Sequence, residues 1–142
     1  MNPFANVPIV VPIDFSDEDD LALELAVELA DSPGNVHAIH VCPPLTLYEP
    51  GAVVNLPREA ICKEMLTAFR KRYPEARYQD VQFDVRFCDP ASDEIVEYAA
   101  QIEAGLVVVS MHPRTGVLHL LFSSIAEQVL RGATCPVLVL RS

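Results

Sequence analysis

Two kinds of segment alternate along the chain: apolar runs, and stretches in which apolar residues recur at helical spacing. Five apolar runs have the length and residue types of β-strands, and they span residues 7–13, 36–41, 81–87, 105–110 and 135–140. The first, fourth and fifth runs are nearly continuous in valine, isoleucine and leucine, which is typical of strands covered on both faces. The third run alternates apolar and polar residues, so a more peripheral strand is predicted there.

Helices are predicted between these runs. The first covers 17–30 and begins with a capping box formed by Ser16 and Asp19. The second covers 57–73, the third starts after Ser92, and the last runs from Ser124 to Gly132. The inward faces of the first three helices are predicted to consist of Leu21, Leu25 and Leu29, then Ile61, Met65 and Phe69, then Ile95, Ala99 and Ile102.

Strand and helix alternate through the whole chain, which is the pattern of a parallel sheet with helices on both faces. A single α/β domain over residues 1–142 is therefore predicted, with a doubly wound five-stranded parallel sheet. One segment, 42–56, is rich in proline and has no helical period. An irregular loop is predicted there, serving as a lid, a partner-binding surface or a plain connection.

The balance of charge narrows the range of partners. The chain carries 20 acidic and 10 basic side chains, for a net charge of −10, so nucleic acid and anionic membrane surfaces would repel it. The basic run at 70–72 falls near the end of the second predicted helix, where cations complement the helix dipole. No apolar stretch reaches the roughly 20 residues that a membrane span needs. The first residues lack the features of a signal peptide, and a cytoplasmic protein is predicted.

Motifs for catalysis and metal binding are missing from the sequence. The four cysteines are far apart, and no C-x-x-C pair or histidine spacing indicates a metal. There is no G-x-S-x-G, Walker lysine or G-x-G-x-x-G motif, so no catalytic residue is predicted. Free thiols are expected. A disulfide between Cys42 and Cys88, which follow the second and third predicted strands, is the alternative.

Candidate ligand-binding residues lie where strands end, because doubly wound sheets bind ligands beyond the carboxyl ends of their strands. Asp14 follows the first strand, and its carboxylate is equally suited to accept hydrogen bonds from a ligand or to cap its own turn. Four acidic residues at 17–20 fill the first turn of the next helix, where they would favour its dipole and repel a phosphate. An anion is therefore expected to bind elsewhere at this edge.

The stretch SMHPRTGVLHLLFSS, residues 110–124, leads from the fourth strand to the last helix. Ser124 and Glu127 have the spacing of a capping box. A helix start at Ser123 and Ser124 would also offer N–H and O–H donors to an anion. A plain helix cap needs no ligand, and local chemistry favours that interpretation.

Three segments carry a resemblance to a known family: IVVPIDFSDEDDLALELAVELA near the start, HAIHV in the second strand, and LVVVSMHPRTGVLHLLFSSIAEQVLRGATCPVLVLR at the end. Over essentially its whole length, the chain resembles the universal stress protein domain. The resemblance implies a Rossmann-like fold, similar to that of the adenine nucleotide alpha hydrolases, with strand order 3-2-1-4-5. It also implies a cytoplasmic homodimer linked to stress survival, in a family of which many members bind ATP.

The ATP-binding branch of that family carries the motif G-x2-G-x9-G-[S/T] after the fourth strand. In this chain Ser110, Pro113 and Ser123 stand in place of the three glycines, and only the hydroxyl residue, Ser124, remains. Serine adds a Cβ where the backbone must approach phosphate, and proline removes an N–H donor. Each lost charge-assisted hydrogen bond is worth roughly 1.5–3 kcal/mol. Two or three such losses weaken ATP binding on the order of a thousandfold.

The adenosine side of the family's site is better matched, because Pro12, Asp14 and Val41 correspond to positions that hold base and ribose. The resemblance therefore implies a stress-response or signalling module whose ATP binding is lost or weakened. It would be no enzyme, and its protein partner is unidentified. The alternative is a member that binds ATP and Mg²⁺ through an atypical loop, with Arg114 compensating for lost donors and with slow ATP hydrolysis.

The last strand is predicted to form a dimer interface. It is uncharged from 135 to 140 and lies at a sheet edge in the implied order, where an apolar strand is an aggregation hazard unless covered. The family's dimer covers this edge with the same strand of a second copy. Val137, Leu138 and Val139 are therefore predicted to lie in a two-fold interface.

Overall fold

The computed structural model describes residues 1–44, 46–49, 52–55, 57–111 and 125–141, with side chains in all of these ranges except 46–49 and 52–55. In chain order the elements are β1 (Ile9–Pro12), α1 (Glu18–Leu29), β2 (Val36–Cys42), β3 (Thr46–Glu49), β4 (Ala52–Asn55), α2 (Arg58–Arg72), β5 (Gln82–Phe87), α3 (Ala91–Gln101), β6 (Leu106–Met111), α4 (Ile125–Gly132) and β7 (Val137–Arg141). Each predicted strand and helix is present, with ends that differ by a few residues.

Five parallel strands form the central sheet in the order β5-β2-β1-β6-β7. This confirms the expected order 3-2-1-4-5 of the parallel strands. β1 lies at the centre, with Ile9 opposite Val36 of β2 on one side and opposite Leu106 of β6 on the other. The chain adds strands first on the β2 side and then on the β6 side, so the strand order reverses between β1 and β6. Doubly wound sheets bind ligands at such a switch point.

Helices cover both faces of the sheet. Side chains alternate along a strand, so Ile9 and Val11 face one layer while Val10 faces the other. The first layer contains α1 and α2, including the fully buried Phe69, and the second contains α3 and α4. This burial on both faces explains why the central strands are nearly continuous apolar runs in the sequence.

The two edges of the sheet differ in charge. β5 carries Asp84 and Arg86, whose side chains form an ion pair at 3.0 Å. β7 has no charged residue before Arg141, and its residues from Val137 to Leu140 are half-buried. The prediction that this last strand is covered on both faces is confirmed, because Leu138 and Leu140 pack against one core cluster and Val137 and Val139 against the other.

The buried face of α1 differs from the predicted stripe of leucines. Ala22, Leu23 and Ala26 are fully buried, whereas Leu21 is 58% exposed. The two alanines let this helix approach the sheet closely, so small residues set its inner face. Burial of Leu21 was the wrong prediction, and the other two leucines of the stripe are half-buried.

The inner faces of α2 and α3 follow the prediction. Their predicted inward residues are all buried or half-buried: Ile61, Met65, Phe69, Ile95, Ala99 and Ile102. Within the described ranges, no helix combines the length and the hydrophobicity that crossing a membrane requires.

The segment 42–56 contains a hairpin and is not the irregular loop predicted from its prolines. β3 and β4 are antiparallel, with Thr46 opposite Asn55 and Glu49 opposite Ala52. The sequence does contain the signal for this hairpin, because two short runs with strand-forming residues flank a Pro-Gly dipeptide. The high proline content concealed it.

Candidate functional site

Asp14, Ser110 and the buried acid Asp19 lie together at the switch point between β1 and β6. Asp14 follows the carboxyl end of β1, and Ser110 is the penultimate residue of β6. Asp19 comes from the first turn of α1, which packs against β6. Ser110 and Asp19 are 91 positions apart in the sequence, so only the folded sheet brings them together.

Asp19 is the centre of this group. Its side chain is 2% exposed, its Oδ2 accepts a hydrogen bond from the Asp14 backbone N–H at 2.6 Å, and its Oδ1 accepts one from the Ser110 hydroxyl at 3.1 Å. Burial raises the pKa of Asp19 to about 7, and a side-chain hydrogen bond with Asp14 adds to the rise. The group is therefore an acid that exchanges its proton near neutral pH.

The predicted capping box of Ser16 and Asp19 is wrong. The Ser16 hydroxyl is buried and has no hydrogen-bond partner among the described residues. The Asp19 carboxylate does not reach back to the start of α1, because it binds Asp14 and Ser110 instead. Phe15, between Asp14 and Ser16, has φ of 65°, which turns the chain sharply at this point.

Asp14 itself makes a local contact. Its Oδ1 accepts a hydrogen bond from the Ser16 backbone N–H at 3.0 Å, and the residue is exposed at the sheet edge. Of the two roles that the sequence left open for Asp14, the local cap is thus present. An exposed carboxylate in this position is also accessible to a ligand hydroxyl or amine.

Arg72, at the end of α2, binds the outer acids of α1. Its Nη2 donates to Asp17 Oδ1 at 3.0 Å, and its Nε donates to Asp20 Oδ1 at 3.1 Å. The same Nη2 donates to the Ser16 carbonyl oxygen at 3.3 Å. This arginine therefore neutralises the solvent side of the acidic turn, while Asp19 lies on the opposite, inner side.

The other predicted residues of the adenosine side lie on the two central strands. Pro12 ends β1, and Val41 is half-buried near the end of β2. Between them, His40 donates through Nδ1 to the Ile13 carbonyl at 2.7 Å, and its ring meets the edge of Phe15 at 5.0 Å between centroids. His40 was not predicted as part of the site, although its place near the end of the second strand is the signal that could have indicated it.

The cysteines at this edge are free thiols. The Cys88 backbone N–H donates to the Cys42 carbonyl at 2.9 Å, so the two strand ends are neighbours as expected. Burial, and then the nearby Cys62, raise the pKa of the Cys42 thiol, which disfavours its reactive thiolate form. Within the described residues, no group of three or more histidine, cysteine or acidic side chains is placed to hold a metal ion.

Several predicted site residues lie outside the described residues: Pro113, Arg114, Ser123 and Ser124. The predicted interface residues are Val137, Leu138 and Val139, and they form the half-buried edge strand β7.

Comparison with known proteins links this geometry to a family. A sequence model described as the universal stress protein family matches residues 6–141. The universal stress protein MJ0531 of Methanocaldococcus jannaschii is 32% identical, with 94% of this chain and 81% of that protein covered. The universal stress protein Rv2005c of Mycobacterium tuberculosis is 31% identical over 96% of this chain, which spans 46% of the length of that relative.

Solved structures show the same fold. The universal stress protein UspA from Lactobacillus plantarum superposes with a TM-score of 0.64 at 21% identity, covering 95% of this chain and 97% of that one. A universal stress protein in complex with cAMP gives a TM-score of 0.60 at 22% identity, with 95% and 97% covered. A universal stress protein from Archaeoglobus fulgidus in complex with dAMP gives 0.55 at 23% identity, with 94% and 96% covered. The family match over nearly the entire sequence, together with a relative 32% identical along most of its length, shows that this chain belongs to the universal stress protein family.

Proposed function

We propose that this protein is a dimeric stress-response or signalling module of the universal stress type. It retains a nucleoside-binding edge formed around Pro12, Asp14 and Val41, and it binds ATP weakly. Two neighbours of the same fold are complexes with the adenine nucleotides cAMP and dAMP, which supports a nucleoside ligand at the switch point. The observation that supports weak ATP binding is the hydrogen bond from the Ser110 hydroxyl to Asp19.

That hydrogen bond weakens phosphate binding in two ways. The Ser110 hydroxyl donates to Asp19, so it is not available to donate to a phosphate oxygen. An ionised Asp19 would also repel a phosphate oxygen about 6 Å away by about 3 kcal/mol at an effective dielectric constant of about 20. Both effects add to the missing glycines that the sequence shows at Ser110, Pro113 and Ser123.

ATP with Mg²⁺ is therefore expected to stabilise the protein very little. A millimolar concentration of ligand against a millimolar dissociation constant adds only about 0.4 kcal/mol to the free energy of unfolding by mass action. Thermal unfolding with and without ATP and Mg²⁺ measures this, and adenosine serves as the phosphate-free comparison. Micromolar ATP affinity, or ATP retained through purification and detected by mass spectrometry, would favour the alternative, an ATP-binding member with an atypical loop.

The dimer is expected to form through β7. Its four residues from Val137 to Leu140 are apolar and half-buried at an open edge of the sheet, and such an edge is a template for pairing with another copy. Val139→Lys would place an unpaired cation in that interface, at a cost of about 3 kcal/mol. This corresponds to a dimer dissociation constant about a hundredfold higher.

Light scattering over a range of protein concentrations tests this interface. The unmodified protein should be a dimer at tens of micromolar, and Val139→Lys should be a monomer there. Leu66→Lys is the matched control, because Leu66 is a 42% exposed apolar residue on α2, a helix that packs against the opposite edge strand β5. A monomeric unmodified protein, or equal loss of dimer in both variants, would contradict the proposed interface.

A further inference from the structure

Asp19 is a buried acid that no cation neutralises among the described residues. Burial is the main cause of its raised pKa. Asp14, itself an acid, raises the pKa of Asp19 further through a side-chain hydrogen bond and through charge repulsion. From the end of β6, the Ser110 hydroxyl donates a hydrogen bond to Asp19. Arg72 on α2 is bound to Asp17 and Asp20.

His40 on β2 also lies at this edge. Its Nδ1 donates a hydrogen bond to the Ile13 carbonyl oxygen, so this nitrogen binds the backbone and does not bind Asp19. Glu18 and Asp20 are neighbours of Asp19 on α1 and carry the same sign of charge. The charged side chains described next to Asp19 on its own helix and at Asp14 are therefore acids, and a phosphate bound at this edge would add another negative charge.

Uptake of a proton changes both the charge and the hydrogen bonding of this group. A neutral Asp19 no longer repels an anion, and as an acid it can donate to the Asp14 carboxylate. The Ser110 hydroxyl is then released from a charged acceptor and can turn to donate to a phosphate oxygen. The Ser16 hydroxyl, three residues before Asp19, is buried and has no hydrogen-bond partner among the described residues.

We propose that Asp19 makes nucleotide binding at this edge proton-linked, excluding phosphate while it is ionised and admitting a singly charged phosphate once it is protonated. The inference rests on the proposed nucleoside-binding function and defines the class of ligand for that site. A nucleoside or a nucleotide with one negative charge is accepted, and a triphosphate is disfavoured. Asp19 thus determines specificity through charge, and binding strengthens as the pH falls.

The test compares cAMP with adenosine at pH 6 and pH 8 by isothermal titration calorimetry. The cAMP phosphate carries one permanent charge and does not titrate near neutral pH, while adenosine has no phosphate. Because the Asp19 proton is lost near neutral pH, cAMP affinity should fall about tenfold from pH 6 to pH 8 by proton linkage. Adenosine affinity should change less than about twofold, since no new charge meets Asp19.

Two variants separate Asp19 from the other titratable groups. Asp19→Asn removes the ionisable group and should make cAMP affinity independent of pH. Glu28→Gln, an exposed acid on the same helix, is the matched control and should keep the full pH dependence. A pH dependence that survives in Asp19→Asn would assign the effect to His40 or another group and overturn the proposal.

A second readout does not depend on the Asp19→Asn variant folding. In the unmodified protein, the carboxyl carbon of Asp19 followed by NMR should titrate near neutral pH, and its midpoint should rise when cAMP is saturating. An unchanged midpoint overturns the proposal. If adenosine bound at pH 6 and cAMP did not, the proposed role of Asp19 would be overturned but the nucleoside-binding function would stand. If neither ligand bound, the nucleoside-binding function would be overturned as well.

Discussion

The free energy of unfolding of Asp19→Asn, taken relative to that of the unmodified protein, is expected to increase by about 4 kcal/mol from pH 4 to pH 8. Folding raises the Asp19 pKa from 3.8 to about 7. Between these two values the folded state binds more protons than the unfolded state, so stability falls as the pH rises. The contribution of the protonated acid is complete below about pH 4 and is lost as the pH passes through about 7. Asparagine does not titrate and avoids this loss.

Asparagine also fits the hydrogen bonds of the site. Its carbonyl oxygen can accept from the Asp14 backbone N–H, and its amide can donate to the Ser110 hydroxyl oxygen. Urea unfolding of both proteins at a series of pH values measures the difference, in which the titration of every other group cancels. Glu28→Gln, which removes an exposed acid from the same helix, is measured alongside as the control. A constant difference for Asp19→Asn would show that Asp19 keeps an ordinary pKa in the folded protein.

Restoring the three glycines of the phosphate loop is expected to increase ATP affinity by roughly ten- to a hundredfold. The triple variant Ser110→Gly, Pro113→Gly and Ser123→Gly removes two Cβ atoms and returns one amide donor, and each recovered charge-assisted hydrogen bond is worth roughly 1.5–3 kcal/mol. It should also lower stability, because glycine increases the freedom of the unfolded chain. Replacing Asp14 by alanine in this variant should weaken ATP binding again.

Adenosine is the control for this variant, since its affinity should not change when only phosphate contacts are restored. Calorimetric titration of ATP and adenosine into both proteins gives the comparison. An equal gain for both ligands, or no gain for ATP, would show that the missing glycines are not what limits phosphate binding.

The central sheet could be predicted from the sequence because its strands are covered on both faces. A strand such as β6, with Leu106 to Val109 buried, must be apolar at every position, and that pattern is visible without any tertiary information. The order of the strands came from the resemblance to a family, since periodicity alone does not determine which strands are neighbours.

The arrangement around Asp19 could not be predicted in this way. An acid in the first turn of a helix is expected to face solvent and to favour the helix dipole, as Asp17 and Asp20 do. Asp19 faces inward because α1 turns its alanine face to the sheet, and the leucine stripe had indicated a different face. Its partner Ser110 comes from a strand far along the chain, so local pattern carries no information about the pair.

The unequal charge of the two sheet edges limits how far copies of this chain can add to one another. A pair joined through β7 would form one continuous ten-stranded sheet and leave β5 of each copy at its two outer ends. Those ends carry the Asp84–Arg86 ion pair, and charged side chains on an edge strand oppose the addition of another strand. In the proposed dimer, association by this route would therefore stop at two copies, and growth into a fibre would require that Asp84 and Arg86 first be replaced by apolar residues.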